Sequence, residues 1–189
     1  MSSTNRGYKR HKKDYYFTPI DDIELFLNKI TKHEPDILDG EILDPCAGGD
    51  ENRPMSYPTA LNNVGANDVD TIDIREDSKA EIISDYRGFK TKKDYDLIIT
   101  NPPFKIARDI IEKGLKDVRK GGYVVMLLRL NYFGTQKRFD LWQDQLPKYC
   151  FVHHKRMSFT EDGKTDSIEY CHMVWQKGHY PDFTKLEVI

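Results

Sequence analysis

The spacing of apolar residues along the chain predicts several amphipathic helices. In residues 21–31, Ile23, Phe26, Leu27 and Ile30 recur at helical spacing. Two aspartates stand at the start of this segment, where the positive end of the helix dipole would favour them. Helices are predicted over residues 21–31, 106–119 and 136–145, with a short helix between residues 52 and 63.

Apolar runs between these segments predict strands. Tyr95–Thr100 is typical of a buried strand, and Gly121-Gly122 is predicted to cap the preceding helix and turn the chain. Strands are predicted over residues 41–43, 68–74, 95–100, 123–130, 151–152 and 167–176, with a further candidate at 186–188. This alternation predicts an α/β fold with a mostly parallel sheet, an antiparallel edge late in the chain, and helices packed against it.

The composition is that of one globular domain. The 189 residues are 38% hydrophobic and 32% charged, which suits a chain that buries a core of its own. No apolar run approaches the roughly 20 residues of a membrane span, and residues 1–14 contain no apolar stretch of a secretory signal. The three cysteines are odd in number and widely spaced, so we expect reduced thiols and a cytoplasmic location without a membrane partner.

A basic run precedes the expected domain. The net charge is −2, so a nucleic acid would have to be held by a local patch. Residues 1–13 are expected to be a flexible tail, and residues 14–189 a single domain. The cations of the tail are Arg6, Lys9, Arg10, Lys12 and Lys13. Two interpretations stay open for them, a solvated tail and a contact with phosphates.

A glycine-bearing turn follows the first predicted strand. Its sequence is Asp44-Pro45-Cys46-Ala47-Gly48-Gly49-Asp50. Glycines let a backbone approach a ligand closely, and ligands of α/β sheets bind beyond the ends of the strands. The GxGxxG pattern is absent, which counts against a nicotinamide enzyme. Taken alone, the segment favours a purely structural turn, because most glycine turns of this kind are only turns.

Two acids follow later strands. Asp73 stands near the end of the strand over residues 68–74, where a carboxylate can accept both hydroxyls of a ribose. The alternative is a solvated acid in a charged loop. Asp85 could accept from an adenine amino group, with Tyr86 or Phe89 against the ring.

Asn101-Pro102-Pro103-Phe104 is the strongest chemical signal in the chain. The two prolines fix the backbone directly after a buried strand, and they donate no hydrogen bond. The loop therefore offers carbonyl oxygens and the Asn101 amide oxygen as acceptors. Acceptors around an exocyclic amine would stabilise the positive charge that grows as its nitrogen attacks a methyl group. Phe104 can stack on a base removed from its helix.

The order of the glycine turn, Asp73 and the Asn-Pro-Pro-Phe loop resembles that of the DNA amino-methyltransferases, specifically the small N6-adenine enzymes of phages and prophages. Phe17-Thr18-Pro19 is similar to the motif that these enzymes place against the methionine part of their cofactor. Later segments, Met126–Arg129 and Arg156–Thr160, are similar as well. The likeness covers about residues 14–176 and implies a Rossmann-like class I methyltransferase fold with a seven-stranded sheet and helices on both faces.

The resemblance also implies site residues. The catalytic residues would be Asn101, Pro102, Pro103 and Phe104. The residues that bind S-adenosylmethionine would be Phe17, Thr18, Pro19, Asp44, Pro45, Cys46, Ala47, Gly48, Gly49, Asp73, Ile74, Asp85, Tyr86 and Asn101. The implied reaction is methyl transfer to N6 of an adenine that has been flipped out of DNA.

Two departures from the family limit this expectation. Gly48-Gly49-Asp50 replaces the common Gly-x-Gly, and no segment is long enough for a separate target-recognition domain. We therefore expect a very short recognised sequence, a loose preference, or a specificity partner or second copy. An RNA base or a protein glutamine stays open as the target, as does a non-catalytic cofactor-binding subunit.

Several cations are candidate nucleic-acid contacts, with solvated loop residues as the alternative. They are Lys9, Arg10, Lys12, Lys13, Arg129, His154, Lys155 and Arg156. The residues Cys150, His153, His154, Cys171 and His172 match no usual zinc spacing, so no metal is expected.

Overall fold

The computed structural model describes residues 16–66, 68–159, 165 and 167–189. The basic run with Lys9, Arg10, Lys12 and Lys13 lies outside the described residues, as does Thr160. Within the described residues there are four α-helices, namely α1 (Ile20–Ile30), α2 (Ser56–Asn63), α3 (Ala107–Asp117) and α4 (Phe139–Asp144). The same part of the chain forms eight strands, namely β1 (Ile42–Asp44), β2 (Val69–Asp73), β3 (Ile82–Ile83), β4 (Tyr95–Thr100), β5 (Val118–Arg129), β6 (Tyr149–Val152), β7 (Tyr170–Gln176) and β8 (Lys185–Val188).

The strands form one sheet in the order β3-β2-β1-β4-β5-β7-β6-β8. Neighbouring strands are parallel except at β7, which runs antiparallel to both β5 and β6. The predicted α/β class, with a mostly parallel sheet and antiparallel pairing late in the chain, is confirmed. Within the described chain the sheet has eight strands rather than seven, because the short strand β3, which was not predicted, pairs with β2 at the edge of the sheet.

Helices cover both faces of the sheet, as predicted. On one face, α1 and α2 pack against alternate residues of β4, Leu97 and Ile99. On the other, Ile98 of β4 packs against α3. All three β4 side chains are fully buried. A continuous apolar strand is therefore explained by a sheet that is covered on both faces.

The prediction for Gly121-Gly122 was wrong. These residues lie inside β5, which begins at Val118 and pairs with β4 through a shifted register between Tyr95 and Leu97. Gly121 has a φ of 83°, and a Cβ on Gly122 would lie 2.9 Å from the Asp96 carbonyl oxygen. The two glycines allow a bulge in a continuing strand, because the φ of Gly121 disfavours a side chain and Gly122 has no room for one.

Two other predicted helices differ in detail. The helix predicted over residues 106–119 ends at Asp117, because the backbone becomes extended at Val118. The helix predicted over residues 136–145 is divided into a 3-10 turn, Gln136–Arg138, and α4. A second 3-10 turn, Leu130–Phe133, follows β5 directly. Both turns lie at the end of the sheet where the parallel strands finish.

Candidate active site

The candidate site lies at the carboxyl ends of three adjacent strands, β2, β1 and β4. Asp73 ends β2, Asp44 ends β1, and Asn101 follows β4. The chain runs from β1 outward to β2 and β3, and then returns to β4 on the other side of β1. The point between β1 and β4 is therefore a topological switch point, where open α/β sheets bind their ligands.

The glycine turn after β1 depends on glycine at two positions. Gly48 and Gly49 have φ values of 66° and 71°, in the left-handed region that disfavours side chains. A Cβ on Gly49 would lie 2.7 Å from Met55 Cγ and 3.2 Å from the Met55 nitrogen. Both glycines are buried, and the turn has this backbone conformation only because neither residue carries a side chain.

Asp73 connects the end of β2 to this turn. Its Oδ2 accepts the N–H of Gly48 at 2.8 Å, and its Oδ1 accepts the N–H of Arg75 at 2.8 Å. The Arg75 guanidinium donates in turn to the Gly49 carbonyl at 2.6 Å. Asp73 and Arg75 are each 6% exposed. Each carboxylate oxygen keeps acceptor capacity, since one bond occupies only part of it.

Arg75 was missed as a site residue. The sequence places it in a charged loop beside Glu76 and Asp77, which carries no signal of burial. In the structure it is buried and holds the glycine turn by a charge-assisted hydrogen bond. It is therefore a positioning residue for the backbone that follows β1.

Asp44 is buried at the centre of the site. Its Oδ1 accepts the N–H of Cys46 at 3.1 Å. Among the described residues, neither Asp44 Oδ2 nor the Thr100 hydroxyl has a hydrogen-bond partner of good geometry. Burial raises the pKa of Asp44 to about 7, and the nearby charge of Asp73 adds to the effect. This carboxyl group is therefore prepared to ionise when a cation comes close to it.

The other residues of the turn are wholly or partly buried. Pro45 and Ala47 are buried, and Cys46 is half-buried. Burial, followed by the charges of Asp44 and Asp73, raises the pKa of the Cys46 thiol well above its usual value. Cys46 is consequently a neutral thiol and not an activated nucleophile.

Phe17 and Pro19 lie just before α1, whose first turn Pro19 precedes. The Arg53 guanidinium carbon is 5.8 Å from the centre of the Phe17 ring. Ile74, beyond β2, is 53% exposed. The contacts of these three residues with a cofactor stay predictions.

Asp85 and Tyr86 already have partners in the free protein. The Arg87 guanidinium binds Asp85 through Nη2 at 2.7 Å and lowers the pKa of this carboxyl group. Tyr86 is buried, and its hydroxyl donates to Asp117 of α3 at 2.7 Å. The role expected for this pair at an adenine ring stays a prediction, and Tyr86 in addition packs in the core.

The Asn-Pro-Pro-Phe loop has a fixed acceptor arrangement. Asn101 Nδ2 donates to Thr18 Oγ1 at 3.0 Å, and Thr18 is 1% exposed. The Asn101 oxygen is thereby left to accept. The Pro103 carbonyl accepts the N–H of Ile106 at 3.0 Å, just before α3. Pro102, which is buried, supplies a second carbonyl in the loop. In the structure Thr18 binds the Asn-Pro-Pro-Phe loop, and its expected contact with a cofactor stays a prediction.

Phe104 contacts two neighbours, Arg129 at the end of β5 and Tyr170 at the start of β7. Its ring centre is 6.2 Å from that of Tyr170, at an interplanar angle of 33°. The guanidinium carbon of Arg129 is 4.7 Å from the Phe104 ring centre. Arg129 is the one predicted nucleic-acid contact that touches the Asn-Pro-Pro-Phe loop within the described residues.

The remaining predicted nucleic-acid contacts lie in the loop after β6. His154 Nδ1 is 2.6 Å from the Ile189 carbonyl oxygen, and Lys155 is exposed. Arg156 is 3.6 Å from the Glu169 carboxylate, with about half of each side chain exposed. Contact of His154, Lys155 and Arg156 with a nucleic acid stays a prediction.

A buried chain of polar side chains was missed by the sequence. His153 Nε2 and His172 Nδ1 are 2.9 Å apart, and His172 Nε2 is 2.9 Å from the Tyr57 hydroxyl. Burial lowers the pKa of His153 to about 4 and that of His172 well below its usual value. Both rings are therefore neutral at pH 7 and connect β6, β7 and α2. Tyr57 lies on α2, His153 directly after β6 and His172 in β7, so no local sequence pattern indicates such a chain.

Cys46, Cys150 and Cys171 are free thiols. Among the residues that the structure describes, no group of three or more His, Cys, Asp or Glu side chains is arranged to hold a metal ion. Within the same residues, every helix is too short or too polar to cross a lipid bilayer.

Comparison with solved structures places the fold among the class I methyltransferases. The candidate RNA methyltransferase PH1948 from Pyrococcus horikoshii superposes with a TM-score of 0.64 at 18% identity, over 93% of this chain and 94% of its own. The Rossmann-like class I methyltransferase fold expected from the sequence is thus confirmed.

Two larger proteins share the fold over part of their length. One is the 16S rRNA N2 G1207 methyltransferase RsmC of T. thermophilus, solved with AdoMet and guanosine (TM-score 0.52, 19% identity, 81% of this chain and 42% of that one). The other is the M protein of the type I restriction enzyme EcoKI (TM-score 0.54, 14% identity, 87% and 44%). The chain spans less than half the length of either protein. It matches no protein-family model and none of the curated proteins compared with it.

Proposed function

We propose that this chain is an S-adenosylmethionine-dependent methyltransferase that acts on the N6 amino group of adenine in DNA. The observation that carries the proposal is the Asn101 amide, whose nitrogen is bound by buried Thr18 so that its oxygen is free to accept from an amine. This acceptor stands beside a glycine turn and two strand-end acids at the switch point of a class I methyltransferase sheet.

The residues around the glycine turn fit such a cofactor. Gly48 and Gly49 carry no side chain of their own that would hinder a ligand approaching their backbone. Asp44 presents a buried carboxyl oxygen without a well-formed partner among the described residues, which suits the cationic methionine end. Asp73 keeps acceptor capacity for the ribose hydroxyls. When bound, S-adenosylmethionine would supply an electrophilic methyl group.

The loop after β4 would orient the amine that receives this methyl group. Asn101 Oδ1 and the Pro102 carbonyl would each accept one amine hydrogen, which aims the nitrogen lone pair away from them. Both acceptors are fixed in advance, Asn101 by Thr18 at 3.0 Å and Pro102 by its ring. They would stabilise the positive charge that develops on nitrogen during the transfer, without reorganising. Amide oxygens are weak bases, so the released proton would pass to solvent.

Adenine in DNA is the target favoured by the resemblance of the whole set of motifs, and the EcoKI M protein is a DNA-related structural neighbour. The neighbour solved with guanosine favours a second candidate, an exocyclic amine of an RNA base. A third candidate is a non-catalytic cofactor-binding subunit. For a DNA substrate we propose a short recognised sequence, or a specificity partner or second copy, in the cytoplasm of a bacterial host that carries the phage or prophage.

Methyl transfer from labelled S-adenosylmethionine tests these candidates. The purified protein is offered DNA without methylated adenine, ribosomal RNA and a protein mixture in parallel, and cofactor binding is measured by calorimetry. We expect label in DNA, recovered as N6-methyladenine. Label in RNA alone would select the second candidate, and cofactor binding without any label would select the third.

Asn101→Ala locates the reaction in the Asn-Pro-Pro-Phe loop. Loss of one preorganised acceptor is expected to lower kcat by roughly 100- to 1,000-fold. Asn63→Ala is the matched control, because Asn63 lies on α2 and donates to Glu24 at an exposed position. Equal kcat values for Asn101→Ala and the unmodified protein would contradict the proposed mechanism.

A further inference from the structure

Arg129 lies directly over the aromatic ring of the candidate catalytic loop. It is the last residue of β5, and its guanidinium carbon is 4.7 Å from the centre of the Phe104 ring. Its Nε is buried and has no hydrogen-bond partner among the described residues. In this part of the chain, then, the side chain makes a cation–π contact with Phe104, and its Nε has no salt-bridge partner.

A guanidinium group resembles a base in the way it stacks. It is planar and delocalised, and it packs face to face on aromatic rings and on nucleobases. A contact of this kind without a fixed acceptor can be exchanged for a similar one. The same plane that now covers Phe104 can therefore cover the far face of a base that stacks on Phe104.

We propose that Arg129 is the second wall of the target-base site: its guanidinium group lies over the Phe104 ring in the free protein and stacks on the target base when that base enters between them. This inference rests on the proposed function, which it extends by naming the residue opposite Phe104. It assigns Arg129 to the base itself and not to the phosphate backbone.

The distances define the movement that the proposal requires. A base between two planes needs two contact distances, about 7 Å in total, whereas the Arg129 guanidinium carbon is now 4.7 Å from the Phe104 ring centre. The guanidinium group of Arg129 must therefore move away from the ring by roughly 2 Å, which is less than one contact distance. Its position allows this, because β5 passes into the 3-10 turn Leu130–Phe133 immediately after it.

The test separates the plane of Arg129 from its charge. Arg129→Lys keeps the charge but loses the planar group. The matched control is Arg119→Lys, at the opposite end of the sheet, where Arg119 pairs with Asp96 and is 65% exposed. Affinities are measured by fluorescence anisotropy for a labelled oligothymidylate with one central adenine, and for the same oligonucleotide with an abasic site in its place.

We expect the unmodified protein and Arg119→Lys to bind the adenine oligonucleotide about 10-fold more tightly than the abasic one, as one stacked base commonly contributes. In Arg129→Lys this ratio should fall to about twofold or less, while affinity for the abasic oligonucleotide stays within about twofold, because the charge remains. An unchanged ratio would overturn the proposal. So would equal weakening of both oligonucleotides, since that result identifies a backbone contact.

Methyl transfer is measured on the same proteins, so that the two proposals fail separately. If the preference for adenine depends on Arg129 but no methyl group is transferred, the role of Arg129 at the base site is supported and the proposed enzymatic function is rejected. Methyl transfer to DNA without an adenine preference in the binding assay would reject the role of Arg129 and leave the enzyme. Folding of Arg129→Lys is checked by circular dichroism and by its affinity for S-adenosylmethionine.

Discussion

Replacing Asp44 by asparagine should change how the stability of this protein depends on pH. Burial raises the pKa of the folded-state carboxyl to about 7, from 3.8 for an exposed aspartate. The proton on Asp44 therefore contributes stability that is fully present below the unfolded pKa and is lost as the pH rises through the folded pKa. An asparagine side chain has no carboxyl proton to lose, so the Asp44→Asn variant lacks this dependence.

The magnitude follows from the size of the shift. About three pKa units at 1.36 kcal/mol each correspond to a loss of up to about 4 kcal/mol in the free energy of unfolding between roughly pH 4 and pH 7. The unmodified protein should lose this amount relative to Asp44→Asn over that range. His153 and His172 titrate in both proteins, so their contribution cancels in the difference.

Urea denaturation followed by circular dichroism, at several pH values between about 4 and 7.5, measures this difference. Asp39→Asn, at an exposed position, is the matched control and should show no such trend. A stability difference between Asp44→Asn and the unmodified protein that is independent of pH would refute the reasoning. It would mean that Asp44 ionises in the folded protein as readily as in the unfolded one.

Three further predictions concern other parts of the site. Gly49→Ala should destabilise the fold by about 1–2 kcal/mol in urea denaturation, because a left-handed φ disfavours a side chain and its Cβ would lie 2.7 Å from Met55. An unchanged midpoint would contradict this. Between roughly pH 6.5 and pH 4, His153 binds a proton in the unfolded protein but stays neutral in the folded one, so the free energy of unfolding should fall by up to about 3 kcal/mol as the pH is lowered. His153→Gln should make this pH dependence less steep, and an equally steep dependence in the variant would contradict the prediction. Thr18→Val should lower kcat about 10-fold by releasing the Asn101 amide, whereas Thr18→Ser keeps the hydroxyl and should retain most activity; equal kcat values in single-turnover assays would show that the bond does not position Asn101.

The parts of the fold that the sequence predicts well are those where local pattern and tertiary burial agree. Tyr95–Thr100 has a continuous apolar centre, Leu97–Ile99, that is buried on both faces of the sheet, and its predicted bounds are those observed. The loop at Asn101 follows directly, because prolines end a strand by local geometry. Here the information lies within a few neighbouring residues.

The errors occur where distant contacts decide the structure. Gly121-Gly122 has a local turn signal, but pairing with β4 carries the strand through it. Arg75 is buried because the Gly49 carbonyl, far away in sequence, accepts from its guanidinium. His153 and His172 are paired by the registry of β6 and β7. None of these partners can be identified from a neighbouring stretch of sequence.

The bond between Asn101 and Thr18 joins residues 83 positions apart in the chain. The acceptor geometry of the loop therefore depends on a segment that lies before α1, outside the sheet. Local opening of that segment would release the Asn101 amide while the hydrogen bonds of β4 stay intact. Enzyme activity should consequently disappear at a lower denaturant concentration than the one that unfolds the sheet. The stability of the site then depends on how firmly residues 16–19 are docked.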